Sequence, residues 1–111
     1  MSELKKETIE FLKLLADQSR LDILDLLYHE KKTSSEIQSA LKKSQSTISQ
    51  HLKVLTNMNL IIFDKINNIK YYKIKNKEIF KLLIDIKSFV AEINKEKLQA
   101  MSNEDILDTL F

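Results

Sequence analysis

The sequence contains no cysteine, glycine or proline. The absence of cysteine excludes disulfides, thiolate metal sites and cysteine nucleophiles, and it fits an intracellular protein. Glycine-rich phosphate loops, dinucleotide-binding turns and the nucleophile elbow of hydrolases all need glycine, because their backbone takes positive φ or closely approaches a ligand. Nucleotide-dependent enzymes and hydrolases are therefore poor candidates.

Histidine is scarce, and long apolar runs are missing. His29 and His51 are 22 positions apart and have no cysteine partner, so neither belongs to a recognisable metal or catalytic pair. No apolar run approaches the roughly 20 residues of a membrane span, and the amino terminus mixes Glu and Lys from the third residue onward, unlike a signal peptide. We expect a cytoplasmic protein that is not an enzyme, spans no membrane and carries no metal or cofactor.

Positive charge is concentrated in the middle of the chain. The 111 residues carry a net charge of +2, are 43% hydrophobic and fit a single domain spanning residues 1–111. Residues 1–41 and 76–111 each carry −2, whereas seven lysines and one acid, Asp64, give the segment from Lys42 to Lys75 a charge of +6. Such asymmetry is typical of a phosphate-binding face, although a solvated lysine-rich surface would give the same count.

Apolar residues at helical spacing predict three helices before residue 42. The first runs from about Glu3 to Ala16, and the second follows the polar break Asp17-Gln18-Ser19. Thr33 and Glu36 have the spacing of a capping box, which predicts a short third helix that ends near Leu41.

A fourth helix is predicted over residues 45–58, with Ser44 as its N-cap. Its apolar stripe, Ile48, Leu52 and Leu55, is expected to pack inward. The opposite face is polar but has no acid, whereas other exposed faces of the chain carry Asp and Glu freely, so an ordinary polar surface explains it less well than a nucleic-acid interface. The residues of that face are Ser46, Ser49, Gln50, Lys53 and Asn57.

The hydrophobic period then changes from helix to strand. Two β-branched and aromatic runs, 60–63 and 69–74, are separated by Asn67-Asn68, which predicts a hairpin wing over residues 60–75. Lys65 and Lys70 flank its tip. We expect one of the adjacent tyrosines, Tyr71 and Tyr72, to point inward and the other to be available to a phosphate.

The C-terminal part, residues 77–111, is predicted to be helical. A long helix from Lys77 to about Gln99 has an apolar face too wide for one small domain to cover, and a short helix capped by Ser102 follows. Together with the first helix, this face predicts a second subunit. Burial of the helix within a monomer is the alternative.

Two segments resemble the ArsR/SmtB family of winged-helix repressors. LADQSRLDIL at 15–24 is similar to its opening signature, and SQSTISQHLKVL at 44–55 is similar to its recognition helix. The resemblance covers about residues 8–92. It implies a mainly α winged helix-turn-helix fold with a small β-hairpin wing, dimeric through the N- and C-terminal helices. It also implies a homodimer that binds double-stranded DNA at a palindromic operator, represses transcription and often responds to a ligand.

Several positions depart from the family pattern. Thr33 and Ser35 stand where many members have a metal-binding cysteine pair, and the second usual metal site corresponds here to Asn76, Glu78, Phe89 and Glu92. The chain is therefore not expected to sense a transition metal at these sites, and its small-molecule or protein effector stays unidentified.

Lys42 and Asn59 replace two glycines that are common in the family. Because lysine takes the left-handed conformation less comfortably than asparagine, we expect a slightly altered turn at Lys42. Asn68 replaces an arginine that often enters the minor groove from the wing tip.

These observations predict a DNA-binding surface and a dimer interface. The base-reading residues are Gln45, Ser46, Ser49 and Gln50. The phosphate and wing contacts are Lys42, Lys43, Thr47, Lys53, Lys65, Asn68 and Lys70. The dimer contacts are Leu4, Phe11, Phe80, Ile84, Phe89 and Ile93. His51 is interpreted as a packed or backbone-contacting residue rather than a ligand. The alternative function is a winged-helix module that binds a protein such as a polymerase subunit or a toxin, against which the acid-free face argues.

Overall fold

The computed structural model describes residues 2–99, which separate into two compact units on either side of the junction between Lys77 and Glu78. The first unit contains α1 (Glu3–Leu15), α2 (Gln18–His29), β1 (Lys32–Thr33), α3 (Ser34–Leu41), α4 (Gln45–Asn57), β2 (Ile61–Ile66) and β3 (Ile69–Ile74). The described part of the second contains α5 (Glu78–Ile93) and α6 (Lys95–Gln99). The short helix predicted after Ser102 lies outside the described residues.

The first two helices are separated by only two residues. The carboxylate of Asp17 accepts the backbone N–H of Arg20 at 3.1 Å and so caps α2. Gln18 and Ser19 therefore belong to the helix, and the prediction that α2 follows these two residues was wrong.

A capping box starts α3, as the sequence predicted. The backbone N–H of Thr33 donates to Glu36 Oε1 at 2.9 Å, and the N–H of Glu36 donates to Thr33 Oγ1 at 3.2 Å. These two bonds satisfy N–H groups that the first turn of a helix leaves unpaired. The N–H of Thr33, followed by its hydroxyl, holds the pKa of the Glu36 carboxyl below its ordinary value.

Lys42 ends α3 in the left-handed conformation, with φ 55° and ψ 46°. Its N–H donates to the carbonyl of Gln38, and the N–H of Lys43 donates to the same carbonyl at 3.2 Å. This conformation costs a residue with a Cβ about 1 kcal/mol. The turn between α3 and α4 thus keeps the left-handed geometry at a position that glycine would occupy without strain.

The core of the first unit lies among α2, α3, α4 and the start of β2. The predicted stripe of α4 is buried, with Ile48 and Leu55 fully enclosed and Leu52 2% exposed. α2, α3 and α4 contact one another, and α4 contacts β2. The other buried residues of this unit are Leu15, Ile23, Leu24, Leu27, Ile37, Leu60 and Ile61.

The wing is the predicted hairpin with an added third strand. Asn67 and Asn68 have φ of 51° and 64°, the two consecutive positive values of a tight two-residue hairpin turn. β1 pairs antiparallel with the other side of β3, with Lys32 opposite Tyr72, so the strand order is β1-β3-β2. The sequence did not predict β1, because a two-residue strand in a charged stretch has no alternating pattern.

The second unit begins with an amphipathic helix. The predicted helix from Lys77 to Gln99 is interrupted at Asn94, whose side-chain amide donates to the carbonyl of Val90 at 2.8 Å. The same carbonyl also accepts the backbone N–H of Asn94 at 3.2 Å, so the last backbone bond of α5 shares its acceptor with a side chain. The single-helix prediction was therefore wrong at this point.

Candidate nucleic-acid interface

The predicted base-reading residues lie on one exposed side of α4. Ser44 caps the helix because its Oγ accepts the N–H of Thr47 at 3.2 Å, and the same hydroxyl donates to Thr47 Oγ1 at 2.9 Å. No acid occurs in the first turn, so the partial positive charge of the helix N-terminus is not neutralised there. The side chains exposed on this helix include Gln45, Ser46, Ser49, Gln50 and Lys53.

Cations stand at both ends of that face. Lys42 and Lys43 are exposed immediately before Ser44, and Lys53 is exposed two turns into the helix. Thr47 is half-buried and takes part in the N-cap, yet its own hydroxyl hydrogen remains available for donation. The arrangement offers hydroxyl and amide groups for base edges, with ammonium groups beside them for phosphates.

One face of the wing combines lysines with aromatic rings. Lys65 is opposite Lys70 in the hairpin, and Phe63 is opposite Tyr72 two residues along. Lys70 Nζ is 4.6 Å from the centroid of the Phe63 ring, which itself is 5.6 Å from the Tyr72 ring. Burial raises the pKa of Tyr72, so its hydroxyl stays a donor at neutral pH.

A cleft separates this face of the wing from the start of α3. Its volume is about 350 Å³, and it is lined by Thr33, Ser34, Ser35, Lys65, Asn68, Ile69, Lys70 and Tyr72. Two exposed ammonium groups, several hydroxyls and an amide therefore surround one opening. Sequence reasoning missed Ser34 and Ser35, although both lie within the predicted capping box, between Thr33 and Glu36.

The other face of the wing holds the single acid of the lysine-rich segment. Asp64 Oδ2 lies 2.9 Å from Lys73 Nζ, and neighbouring positions of a strand point to opposite faces, so Asp64 lies away from Lys65. Lys31 Nζ is 5.6 Å from the Tyr71 ring on this side. Tyr71 and Tyr72 are both half-buried, so neither is a fully buried core residue.

A polar contact joins α2 to α4. Arg20 Nε donates to His51 Nδ1 at 3.2 Å, and Arg20 Nη1 donates to the carbonyl of Leu14 at 2.6 Å. Burial opposes ionisation of Asp17, but the backbone N–H of Arg20 and neighbouring positive charge hold the pKa of that carboxyl below its ordinary value. The sequence did not predict this contact; its one available signal was that Arg20 is the single arginine of a lysine-rich chain.

The residues predicted to form a dimer interface are mostly exposed in the single chain. Leu4 of α1 is 77% exposed, and Ile84, Phe89 and Ile93 of α5 are 62–64% exposed. Phe11 and Phe80 are half-buried. On α5, Ile79 is the one buried residue, so most of the apolar stripe is open to solvent.

Neither a metal cluster nor a membrane span is found within residues 2–99. No group of three or more potential metal ligands among His, Asp and Glu occurs in this range. None of the helices described there has the length and apolar character needed to cross a bilayer.

Comparison with known proteins extends the similarity beyond short motifs. The model of a family described as "Bacterial regulatory protein, arsR family" matches residues 17–62, from the start of α2 into β2. The arsenical resistance operon repressor of Bacillus subtilis is 35% identical over 83 residues, which are 74% of this chain and 79% of the repressor. Matches to three curated repressors cover 66–79% of their lengths.

Solved structures share the same architecture. The crystal structure of Rv0081 from Mycobacterium tuberculosis superposes with a TM-score of 0.79 at 28% identity, covering 87% of this chain and 98% of that one. A homodimeric winged helix-turn-helix DNA-binding domain, Mb0332 from Mycobacterium bovis, gives a TM-score of 0.71 at 23% identity, covering 86% and 93%. The predicted fold, mainly helical with a small β wing, is thereby confirmed.

Proposed function

We propose that this chain, which belongs to the ArsR family of bacterial regulatory proteins, represses transcription in the cytoplasm as a homodimer bound to a palindromic DNA operator. Family membership makes it a DNA-binding regulator. The observation that carries the finer proposal is the exposed, acid-free polar face of α4, which is capped at Ser44 and supported from behind by three buried apolar residues.

We assign sequence reading to Gln45, Ser46, Ser49 and Gln50. Their side chains are exposed near the N-terminus of α4, and an α-helix fits the major groove of B-form DNA. Glutamine can pair with adenine through two hydrogen bonds, and serine can bond to several base edges. The helix can enter the groove without repulsion, because residues 42–63 contain no acid.

Phosphate binding is assigned to five lysines and two neutral polar residues around the helix and on the wing. Lys42, Lys43, Thr47 and Lys53 adjoin the reading face, while Lys65, Asn68 and Lys70 line the cleft beside α3. α3 contacts both α4 and β3, so one short helix links the two groups. Asp64 is paired with Lys73 on the opposite face of the wing and does not oppose phosphate at the cleft.

DNA binding should weaken steeply with salt, and two variants should separate base reading from phosphate binding. For Lys65→Ala we expect a log–log salt slope shallower by about 2 units for the dimer, because one cation per subunit no longer displaces counterions. For Gln50→Ala we expect the free-energy preference for the correct base pair at the contacted position to fall by about 1–3 kcal/mol. The salt slope should not change. Fluorescence anisotropy of labelled duplexes at several salt concentrations measures both quantities.

The operator for this titration can be selected from random duplex DNA with the purified protein. Lys31→Ala is the matched control for Lys65→Ala, since Lys31 lies beside Tyr71 on the opposite side of the wing. Binding that is absent, or that does not change with salt, would contradict the proposal. A protein partner that the purified chain still retains in a pull-down after nuclease treatment would favour the interaction-module alternative.

Dimerisation is proposed because apolar side chains remain uncovered on each of two helices. Phe89 and Ile93 are each 64% exposed on α5, and Leu4 is 77% exposed on α1. Large apolar side chains left exposed along a helix in this way mark an interface more often than a free surface. The homodimeric state of the Mb0332 DNA-binding domain supports the same assembly for this chain.

We propose further that the family's usual transition-metal sites do not operate in this chain. Thr33 and Ser35 supply no thiolate, and Thr33 is engaged in capping α3. At the second site Asn76 and Phe89 provide no imidazole or carboxylate. Zn²⁺, Cd²⁺ or arsenite added at micromolar concentration to the protein–DNA complex should leave its anisotropy unchanged, and metal-specific release of the DNA would refute this part of the proposal.

A further inference from the structure

The side chain of Arg20 donates hydrogen bonds to two other helices, α1 and α4. Its Nη1 donates to the carbonyl of Leu14, in the last turn of α1, at 2.6 Å, and its Nε donates to Nδ1 of His51 on α4 at 3.2 Å. Both contacts are partly buried, and the Asp17 carboxylate that caps α2 accepts the backbone N–H of Arg20. The guanidinium is thus held in one orientation when it faces the imidazole.

The chemistry of this contact fixes the hydrogen of His51. A guanidinium is always protonated and has no acceptor atom, so it can only donate. Nδ1 of His51 must then present its lone pair, and a neutral imidazole carries its single hydrogen on the other nitrogen, Nε2. The Arg20 contact therefore selects the Nε2–H tautomer.

That hydrogen is available on the recognition helix. His51 is half-buried and follows Thr47 by four residues, so the two side chains share one flank of α4, one turn apart. Within residues 2–99, His51 Nε2 has no hydrogen-bond partner, and no buried polar side-chain atom in that range is left unpaired. The Nε2–H group therefore reaches solvent on the flank next to the reading face.

We propose that His51 binds a DNA phosphate through Nε2–H, and that Arg20 is the positioning residue that holds the imidazole in the donating tautomer. The inference rests on the proposed DNA-binding function and adds a neutral donor to its lysines. Backbone phosphates accept hydrogen bonds from neutral side chains as well as from cations. A neutral donor contributes to affinity without releasing a counterion, which distinguishes it from a lysine in a salt titration.

Two substitutions at His51 distinguish the roles of its two ring nitrogens. The amide of His51→Asn can occupy the place of Nδ1 and accept from Arg20, but it does not reach the place of Nε2. The longer His51→Gln can place an amide N–H there. We expect His51→Asn to weaken operator binding about five-fold for each half-site, the effect of one neutral hydrogen bond, with an unchanged salt slope, and His51→Gln to restore most of the affinity.

His29→Asn is the matched control, because His29 is exposed at the end of α2, and thermal melting of each variant checks the fold. The tautomer is read independently of any substitution from the imidazole ¹⁵N shifts and two-bond ¹H couplings of the wild-type protein. We expect a protonated Nε2 and an unprotonated Nδ1, and loss of this preference in Arg20→Met.

A wild-type His51 protonated on Nδ1, or a folded His51→Asn that binds the operator as tightly as wild type, would overturn the inference while leaving DNA binding intact. Failure of the wild-type protein to bind any DNA would instead overturn the proposed function and this inference with it.

Discussion

Replacing Phe89 and Ile93 together with lysine is expected to produce a monomer that binds a palindromic operator about 10²- to 10⁴-fold more weakly. Both side chains are 64% exposed on the apolar stripe of α5. In the proposed dimer they are buried, and two added ammonium groups per subunit would have to be desolvated beside those of the partner. Each monomer would then bind one half-site without the high effective concentration that linkage to a second subunit provides.

Analytical ultracentrifugation and anisotropy on full and half operators measure the two parts of this prediction. Ser88→Lys is the control for added charge on the same helix. Ser88 is exposed away from Phe89 and Ile93 but lies one turn after Ile84, so it should lower dimerisation and affinity far less than the double variant. Affinity for a half-site should be similar in wild type and double variant. A double variant that remains dimeric would show that α5 does not form the interface.

Leu55→Ala should lower the free energy of unfolding by about 3 kcal/mol, within the range for a leucine removed from a packed core. Leu55 is fully enclosed, and it belongs to the stripe that holds α4 against the rest of the first unit. Such a loss is a large fraction of the stability of a small domain. Urea denaturation followed by circular dichroism gives the value.

Ile66→Ala serves as the comparison for this core variant. Ile66 is also a large apolar residue, but 46% of it is exposed at the end of β2. Its truncation should cost less than about 1 kcal/mol, because less apolar area returns to water. Equal losses for the two variants would mean that α4 is not anchored through its apolar stripe.

Local chemistry explains why much of the first unit was predictable from its sequence. The Thr33–Glu36 capping box, the Ser44 cap and the Asn67-Asn68 turn each depend on residues adjacent in the chain. The burial of Ile48 and Leu55 follows from their spacing around one helix. Signals of this range need no knowledge of the tertiary structure.

The features that sequence reasoning missed depend on contacts distant in the chain or on competition between local bonds. β1 exists because Lys32 and Thr33 pair with residues nearly forty positions later. The Arg20–His51 bond joins residues 31 positions apart. The end of α5 was misplaced for a different reason, since the side-chain amide of Asn94 bonds to the carbonyl of Val90 there, and the spacing of apolar residues does not reveal such a bond.

The candidate interface was predictable as a surface, but its individual contacts were not. An acid-free helix face and a local excess of lysine are visible in the composition, and the exposed positions of Gln45 and Gln50 agree with them. The cleft that adds Ser34 and Ser35 requires the wing to stand beside α3, which no periodicity encodes. The base-reading and phosphate-binding roles stay predictions until the variants are measured.

The backbone at Lys42 shows a conflict between folding and charge. Glycine would relieve the left-handed conformation found there, yet it would also remove a cation two residues before the cap of α4. Under selection for stability alone the position would drift toward glycine, while selection for attraction to DNA would retain lysine. Replacing Lys42 with glycine to raise heat resistance would therefore relieve the strain of this turn and, in the proposed complex, remove one phosphate contact per subunit.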